Sequence, residues 1–408
     1  MKKLTIFLTI LLVVILFVAC QSQTVAENKL NVSNQPASNI DLPKEVHTIP
    51  SVASDVSPTI GPLNYPVGIN PLTGLPVQNT ENLKFSPMLV SISNFPASGR
   101  PQAGLSFSPI VFELYIGGGE TRNLAVFYGD FPQRQINNQK GSGDPSSLSE
   151  AKIGPIRSGR LPYESIRKLF DGQLLMASAM KSVAKQTNEY VNIFGSDQMD
   201  ANSALISVSQ MMQYAQSKKH DPNSGALSGM YFNAQLPEGG KDAPSLWMCY
   251  AYLNQIFWRY NAQDGSYHRI QDNADGSTFI EAVDRLNGIP LKYANIIVLF
   301  VDHIVKSRYS FDLDLLFQKR EEALLFRDGK MYKIYWTTRS EEYEQATGKL
   351  RPIRFIDYEG NPFPFKPGRT WIEIVPQYTP FWETVNSEKY HQLMAGRSLG
   401  SGLSLIHI

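Results

Sequence analysis

Cysteine is nearly absent from this chain, which contains two in 408 residues, Cys20 and Cys249. Cys20 ends a signal-like N-terminal segment and is expected to carry a lipid, which leaves Cys249 without a partner in the same chain. The sequence therefore excludes an intrachain disulfide framework. Cys249 lies in an apolar run at residues 246–250 and is interpreted as a small buried hydrophobic residue.

Several enzyme signatures are also missing. The six histidines are scattered, none is paired with another at helical spacing, and none has a neighbouring cysteine, so no metal site is predicted. The chain has no Gly-x-Ser-x-Gly elbow, phosphate loop or dinucleotide fingerprint. These absences argue against the commonest hydrolases and nucleotide-dependent enzymes, and no cofactor is predicted.

The chain likewise has no marked excess of positive or negative charge. The chain has 38 basic and 37 acidic residues, and removal of residues 1–19 with their two lysines would leave 36 basic residues and a formal charge of −1. A near-neutral balance gives no electrostatic footprint for nucleic acid, so no nucleic-acid partner is predicted.

The N-terminus is typical of a bacterial lipoprotein signal peptide. Lys2 and Lys3 precede an apolar run at residues 4–18, which is shorter than the roughly 20 residues that a bilayer requires. Small Ala19 then precedes Cys20. We expect cleavage after residue 19 and a lipid on Cys20 that holds the protein on the outer face of the cytoplasmic membrane. An uncleaved membrane helix or an ordinary secretory signal is the alternative interpretation.

A polar, proline-rich segment follows the predicted lipid site. It has no aromatic residue before Tyr65 and cannot bury enough apolar surface to offset its ordering entropy. Residues 20–66 are therefore predicted to be the lipidated cysteine and a flexible tether. At the other end, residues 379–408 form a tail whose last residues, 403–408, are interpreted as non-native sequence.

The body between tether and tail is predicted to be α+β. Short runs of β-branched and aromatic residues bounded by Gly, Pro and Asn predict strands. Helical signals lie mainly in the first half, where Pro162 precedes a helix at 163–170 and apolar residues recur at helical spacing over 205–215. We predict an α/β-rich domain at 67–229 and a mainly β domain at 230–378. The predicted strands are 88–94, 110–116, 123–129, 174–179, 245–252, 267–271, 294–302, 331–337, 351–357 and 371–375.

The most suggestive polar cluster is centred on arginines. Arg100 follows Asn94 by a turn with Pro and Gly, a Gly-rich turn leads to Arg122, and Arg157 and Arg160 precede the helix at 163–170. Guanidinium groups bind carboxylate or phosphate bidentately, and a helix N-terminus favours an anion. The structural alternative is that these arginines pair internally with carboxylates or backbone carbonyls.

The same segments resemble a known family. Residues 70–76 (Asn-Pro-Leu-Thr-Gly-Leu-Pro), 100–106, 110–113, 118–122 and 153–160 are similar to the N-terminal domain of the YerB-like predicted lipoproteins, a family of unknown function. Residues 267–269, 325–330 and 367–372 resemble the family's C-terminal domain. The resemblance implies an α+β mixed-sheet sandwich. It also marks as candidate binding positions Asn94, Arg100, Glu113, Thr121, Arg122, Arg157, Ser158 and Arg160.

Three functions remain open from the sequence. The leading hypothesis is a membrane-tethered protein that binds an anionic cell-wall component or an exported protein through the arginines. The alternative is an envelope enzyme acting on peptidoglycan or a related polymer, with Glu113 as acid or base. A third is a structural platform for protein interactions, which would need a large exposed apolar patch. A Glu113 side chain with a raised pKa in an open cleft would favour catalysis, and one locked against Arg122 or Arg157 would favour a structural role.

Overall fold

The computed structural model describes residues 59–132, 151–193 and 204–376, except 252, 276–277 and 308–309, together with the backbone of 381–382. Cys20, the predicted signal segment and the last residues of the tail lie outside the described residues. Within these ranges no helix is both long and apolar enough to cross a membrane.

Strands dominate the described part of the chain. The helices are α1 (Pro162–Phe170), α2 (Lys181–Ala184), α3 (Val208–Ser217) and α4 (Glu341–Thr347), with short 3-10 helices at Thr80–Lys84, Ala97–Gly99 and Leu105–Phe107. The strands are β1 (Ile69–Asn70), β2 (Leu75–Pro76), β3 (Met88–Ser93), β4 (Ile110–Gly117), β5 (Glu120–Phe127), β6 (Lys152–Ile153), β7 (Gln173–Met176), β8 (Tyr190–Asn192), β9 (Ile206–Ser207), β10 (Tyr231–Phe232), β11 (Lys241–Asp242), β12 (Ser245–Ala251), β13 (Asn254–Asn261), β14 (Ser266–Asp272), β15 (Phe279–Glu281), β16 (Lys292–Tyr293), β17 (Asn295–Phe300), β18 (His303–Ser307), β19 (Ser310–Leu313), β20 (Glu321–Arg327), β21 (Lys330–Thr337), β22 (Arg354–Ile356), β23 (Pro364–Phe365), β24 (Thr370–Val375) and β25 (Phe381–Trp382).

A large mixed sheet forms the middle of the fold. Its strand order is β11-β21-β20-β17-β24-β4-β5-β3-β7-β8, with β22 paired to β21. The central strands β3 and β24 are buried along their whole length. Near-continuous apolar sequences are expected for strands that are covered on both faces, and this is why β3 reads Met-Leu-Val-Ser-Ile-Ser.

Side-chain alternation divides the core between the two faces of this sheet. On one face, Val111, Ala125 and Trp371 pack with Met248 and Trp258 of the second sheet, whose order is β15-β14-β13-β12-β25 with β16 paired to β14. On the other face, Phe112 and its neighbours pack with α1. The rings of Phe112 and Phe170 meet edge to face at 5.9 Å between centroids. The predicted α+β mixed-sheet sandwich is thus confirmed.

The two predicted domains contribute strands to one sheet. β24, from the second, pairs in parallel with β4, from the first, through Thr370 opposite Ile110 and Glu373 opposite Glu113. The boundary predicted between residues 229 and 230 therefore does not separate two independent sheets, and the domain limits themselves stay a prediction.

Ordered contacts begin before the predicted end of the tether at residue 66. The backbone of Ile60 exchanges two hydrogen bonds with Phe232, at 3.0 and 2.8 Å. The Tyr65 hydroxyl donates to the Met230 carbonyl at 2.6 Å. The residues from Ile60 onward are fixed by these long-range backbone contacts, which polar composition does not reveal.

Candidate functional site

The eight residues marked by the sequence lie on β4, β5 and nearby loops, and the structure divides them into two groups. Thr121 and Arg122 are neighbours on β5 and therefore project from opposite faces of the large sheet. Asn94, Arg100, Glu113 and Thr121 form an interior group between the two sheets. Arg122, Arg157, Ser158 and Arg160 form a second group beside α1.

Glu113 is the centre of the interior group and is completely buried. Its Oε1 accepts hydrogen bonds from the Thr121 hydroxyl at 2.6 Å and from the Asn94 amide at 3.1 Å. Its Oε2 lies 2.8 Å from Nη2 of Arg269, on β14 of the second sheet. Glu113 is thus held by an arginine, although Arg269 was not among the residues that the sequence singled out.

Glu373 completes a buried triad and was also missed. It lies on β24 directly opposite Glu113 and accepts hydrogen bonds from Trp258 Nε1 and the Tyr250 hydroxyl, both at 2.8 Å. Arg269 reaches it as well, with Nη1 at 3.4 Å from Glu373 Oε1. A single guanidinium therefore bridges two carboxylates.

Two tryptophans enclose this guanidinium. The Arg269 carbon Cζ lies 4.4 Å from the ring centroid of Trp371 and 5.3 Å from that of Trp258. Such stacking stabilises a desolvated cation, so Arg269 is held by aromatic faces as well as by carboxylates.

The charge of the triad is set by burial. Loss of water, together with the negative charge of Glu113, raises the pKa of Glu373 to about 8, although Arg269 acts in the opposite direction. Burial and Glu373 also raise the pKa of Tyr250 well above its usual value. Glu373 therefore keeps its proton at neutral pH, and the ion pair between Arg269 and Glu113 is balanced. This arrangement braces the two sheets.

Arg100 is a second internal brace. Its Nε donates to the Asn94 carbonyl at 2.9 Å and its Nη1 to the Asp272 carbonyl at 2.7 Å. Burial, and the nearby charge of Arg269, lower its pKa to about 10. Arg100 thereby joins the loop after β3 to the end of β14, and it is not presented to a ligand.

The second group converges on Ser158. Arg122 Nη1 donates to the Ser158 carbonyl at 3.0 Å and lies 3.2 Å from its hydroxyl oxygen. Arg160 Nη1 approaches the same two oxygens at 3.2 and 2.8 Å. Arg157 donates to the Ile156 carbonyl at 3.4 Å and makes further interactions. Two guanidinium groups therefore share one serine.

Positive charge at Ser158 is not neutralised locally. Among the described residues, no carboxylate lies within ion-pair distance of Arg122 or Arg160, and the Nε atom of each is buried without a hydrogen-bond partner. Burial, followed by repulsion from Arg160, lowers the pKa of Arg122 to about 10, and Arg157 adds to this effect. This group has the electrostatic character of an anion site.

Helix α1 adds to the positive potential. It begins at Pro162, two residues after Arg160, with no side-chain cap at its N-terminus. Proline suits a first helical position because its missing N–H would have no partner there. The positive end of the helix dipole thus lies next to the two arginines that share Ser158.

A small groove adjoins Arg160. It is lined by Arg160 and Pro162 and by apolar residues of β4 and β19, namely Leu114, Tyr115, Ile116 and Phe311. The rings of Tyr115 and Phe311 contact each other at 5.8 Å between centroids. The groove thus places apolar side chains next to Arg160.

Metal ligands and thiols are not gathered into a site in the part of the chain that the structure describes. Within it, no group of three or more His, Cys, Asp or Glu is placed to hold a metal ion. Cys249 is completely buried on β12, and its thiol donates to the Ala251 carbonyl at 3.5 Å.

The fold and these contacts define an α+β sandwich protein whose buried polar centre joins two sheets and in which Arg122 and Arg160 share Ser158 beside a helix N-terminus. Two family models match the chain: "Protein of unknown function (DUF3048) N-terminal domain" at residues 72–237, and the corresponding C-terminal domain at residues 248–372. The chain belongs to this YerB-like family.

A relative from Bacillus subtilis is similar in sequence and in fold. A Bacillus subtilis (strain 168) protein named "Putative lipoprotein YerB" is 25% identical over 322 residues, which cover 75% of this chain and 86% of the relative. The crystal structure of YerB protein from Bacillus subtilis is similar in fold, with a TM-score of 0.57 and 23% identity over 77% of this chain and 99% of that structure.

Proposed function

We propose that this chain is a lipid-anchored binding protein on the extracytoplasmic face of the bacterial membrane, which holds an anionic group at Arg122, Ser158 and Arg160. The group belongs to a cell-wall component or to an exported protein. The observation that carries the proposal is the convergence of two guanidinium groups on one serine without a carboxylate partner among the described residues.

The anchor is supported by sequence and by relationship. Ala19 and Cys20 follow a basic and then apolar N-terminal segment of the lengths expected for a lipoprotein signal. The Bacillus subtilis relative carries the word lipoprotein in its name. A lipid on Cys20 would hold the folded body close to the envelope polymers from which an anionic ligand could come.

Physical chemistry favours an anion at Ser158. A buried arginine without a counter-charge destabilises a fold, and three neighbouring arginines repel one another. A phosphate or carboxylate that reached the half-buried Ser158 and Arg160 would neutralise that charge. The N-terminus of α1 would contribute further attraction.

The alternative of an envelope enzyme with Glu113 as acid or base gains no support. A general acid or base must reach the atom to which it transfers a proton. Glu113 is completely buried, and its two oxygens are already engaged by Thr121, Asn94 and Arg269.

Thermal unfolding in the presence of inorganic phosphate tests the anion site. At constant ionic strength, phosphate should stabilise the wild-type protein by RT ln(1 + [L]/Kd), which is about 2.7 kcal/mol at a hundredfold excess over Kd. Arg160→Ala should lose this stabilisation, because one of the two guanidinium groups is removed. Arg320→Ala removes the same charge from an exposed residue that is stacked on Tyr335, and it should retain the response.

One outcome of this comparison of variants would contradict the anion site. If phosphate shifts the unfolding temperature of wild type and Arg160→Ala equally, the arginines at Ser158 are not an anion site. Muropeptides and a glycerol-phosphate polymer, titrated in the same way, distinguish a carboxylate-bearing ligand from a phosphate-bearing one.

A further inference from the structure

A cleft of about 470 Å³ lies at one end of the large sheet, away from the residues considered so far. None of the eight candidate binding residues lines it. One wall comes from the β1–β2 hairpin and the segment after β5, and the other from residues beside β14, β16 and β24. The cleft therefore forms only when both family-matched parts of the chain are folded together. Its volume is in the range of small-molecule sites.

The walls of the cleft are fixed to each other by hydrogen bonds. The Asn70 amide donates to the Tyr128 carbonyl at 2.8 Å and so ties the hairpin to the end of β5. Across the cleft, the Gly368 backbone N–H donates to the Thr73 carbonyl at 2.7 Å. The cavity is thus a built feature of the fold with little freedom to collapse.

Two of the charged residues in the cleft neutralise each other. Lys292 Nζ lies 2.9 Å from Asp264 Oδ2, and the same carboxylate oxygen is 2.8 Å from His268 Nε2. This network leaves little net charge for a ligand to meet.

The other two charged residues have no ionic partner in the described part of the chain. The Arg369 guanidinium donates one hydrogen bond, to the Lys292 carbonyl at 3.3 Å, and lies over the Tyr293 ring at 5.7 Å. The Asp130 carboxylate accepts one, from the Gln78 backbone N–H at 2.9 Å. Both side chains are half-buried and line the cleft. A cation and an anion are therefore presented to the same space.

Arg369 and Asp130 come from separate strands at the same end of the large sheet. Arg369 precedes Thr370 of β24, which pairs with Ile110 of β4, and Ile110 pairs with Val126 of β5. Asp130 lies three residues beyond the end of β5. The two charges therefore come from strands separated by β4, and both line the one cleft.

Apolar surface lies in the same cleft. Val77, Phe107, Pro109 and Phe131 contribute to its lining, and Leu75 of β2 is 42% exposed. Such surface suits uncharged side chains between two charged ends.

We propose that this cleft binds short peptides with free termini, the terminal carboxylate on Arg369 and the terminal ammonium on Asp130. A charge-assisted pair at each end gives selectivity for both termini, and the apolar lining accepts side chains in between. The site is separate from the anion site at Ser158, and either can exist without the other.

Equilibrium dialysis with three mixtures of random tripeptides tests this proposal. One mixture has free termini, the second is N-acetylated and the third is C-amidated. Wild type should retain the free mixture about tenfold or more strongly than either blocked mixture, because each block removes one charged hydrogen-bonded pair. Arg369→Gln should no longer distinguish free from amidated peptides and should still reject acetylated ones.

The second variant gives the complementary result. Asp130→Asn keeps an oxygen for the Gln78 N–H and should lose discrimination against acetylated peptides alone. Arg320→Gln, matched in chemistry to the first variant, should behave as wild type, and thermal unfolding confirms that each variant is folded. Equal retention of the three mixtures by wild type, or no retention at millimolar concentration, would overturn the proposal.

Discussion

Glu113 and Glu373 show how single buried residues determine the electrostatics of the interior. They face each other on adjacent strands, and one guanidinium, from Arg269, serves both. Three charges would leave a net negative charge in a region without water, which is unfavourable. A proton on Glu373 removes that charge, so the protonation state is part of the fold.

This proton makes folding stability depend on pH. The pKa of Glu373 is about 8 when folded, against an ordinary value of 4.5, so between these values the folded protein binds a proton that the unfolded chain releases. Stability from this residue is complete below pH 4.5 and is lost as the pH rises through 8, with a slope of at most about 1.4 kcal/mol per pH unit.

Glu373→Gln tests the effect, because glutamine cannot ionise and can still bond to Trp258 and Tyr250. In urea unfolding at pH 5, 7 and 9, the free energy of unfolding of the variant should increase relative to that of wild type, by up to a few kcal/mol, as the pH rises. Ionisable groups that do not interact with Glu373 contribute equally to both proteins and cancel in the difference. Parallel stability curves would mean that Glu373 is ionised in the folded protein at neutral pH.

At the scale of elements, the alternation of side chains along a strand places residues that are adjacent in sequence on opposite faces of the sheet. Thr121 and Arg122 belong to one motif, but the first contacts Glu113 between the sheets and the second contacts Ser158 beside α1. The fold therefore does not bring the eight candidate residues together on one surface. Side chains alternate between the two faces along β5, and this two-residue period could have indicated the separation of Thr121 from Arg122.

Strand prediction succeeded where apolar residues were concentrated and failed where polar ones intervened. All ten predicted strands overlap observed ones, whereas the other fifteen of the 25 described strands were not predicted, the longest of them β13 and β20. β13 contains Asn254 and Gln255, which are buried although they are polar. Polar residues weaken the apolar pattern from which a strand is predicted. For β20, the turn Asp328-Gly329 with both residues at positive φ is typical of a two-residue hairpin and could have indicated it.

The N-terminal edge of the body gives a prediction at this scale. A chain shortened to begin at residue 67 loses two backbone bonds between Ile60 and Phe232 and the Tyr65 bond to Met230. At roughly 1 kcal/mol per bond, its unfolding temperature should fall by several degrees. A chain that begins at residue 59 keeps these bonds and should unfold like one that begins at Gln21. Equal unfolding temperatures for all three would show that residues 59–66 belong to the tether.

At the scale of the whole molecule, we predict a lipidated protein whose body is held near the membrane. Cells that express the wild type should incorporate radiolabelled fatty acid into it, and Cys20→Ala should abolish the label because the thiol that carries the lipid is gone. Cys249→Ala is the matched control and should stay labelled, since Cys249 is completely buried.

Location is tested with the same proteins. In intact spheroplasts, added protease should degrade the wild type if, as we propose, the body lies outside the cytoplasmic membrane. Label on Cys20→Ala, or full protection from protease, would contradict the lipid anchor or its extracytoplasmic side.

The sequence by itself determined the family, the α+β class, most of the long strands and the start of α1 at Pro162, because these depend on local composition, spacing and proline geometry. It also indicated that Arg157 and Arg160 lie just before a helix N-terminus. Charged Glu113 and Glu373 within apolar strands were signals of buried polar pairing, but their common partner could not be inferred.

Tertiary structure alone decided those partnerships. Arg269 is 156 residues from Glu113 and 104 from Glu373 in the chain, and only the stacking of two sheets brings the three together. The cleft between Asp130 and Arg369 has the same origin, since its walls come from the two family-matched parts of the chain. Local patterns specify which face a side chain occupies, whereas long-range strand pairing and sheet packing specify what lies opposite it.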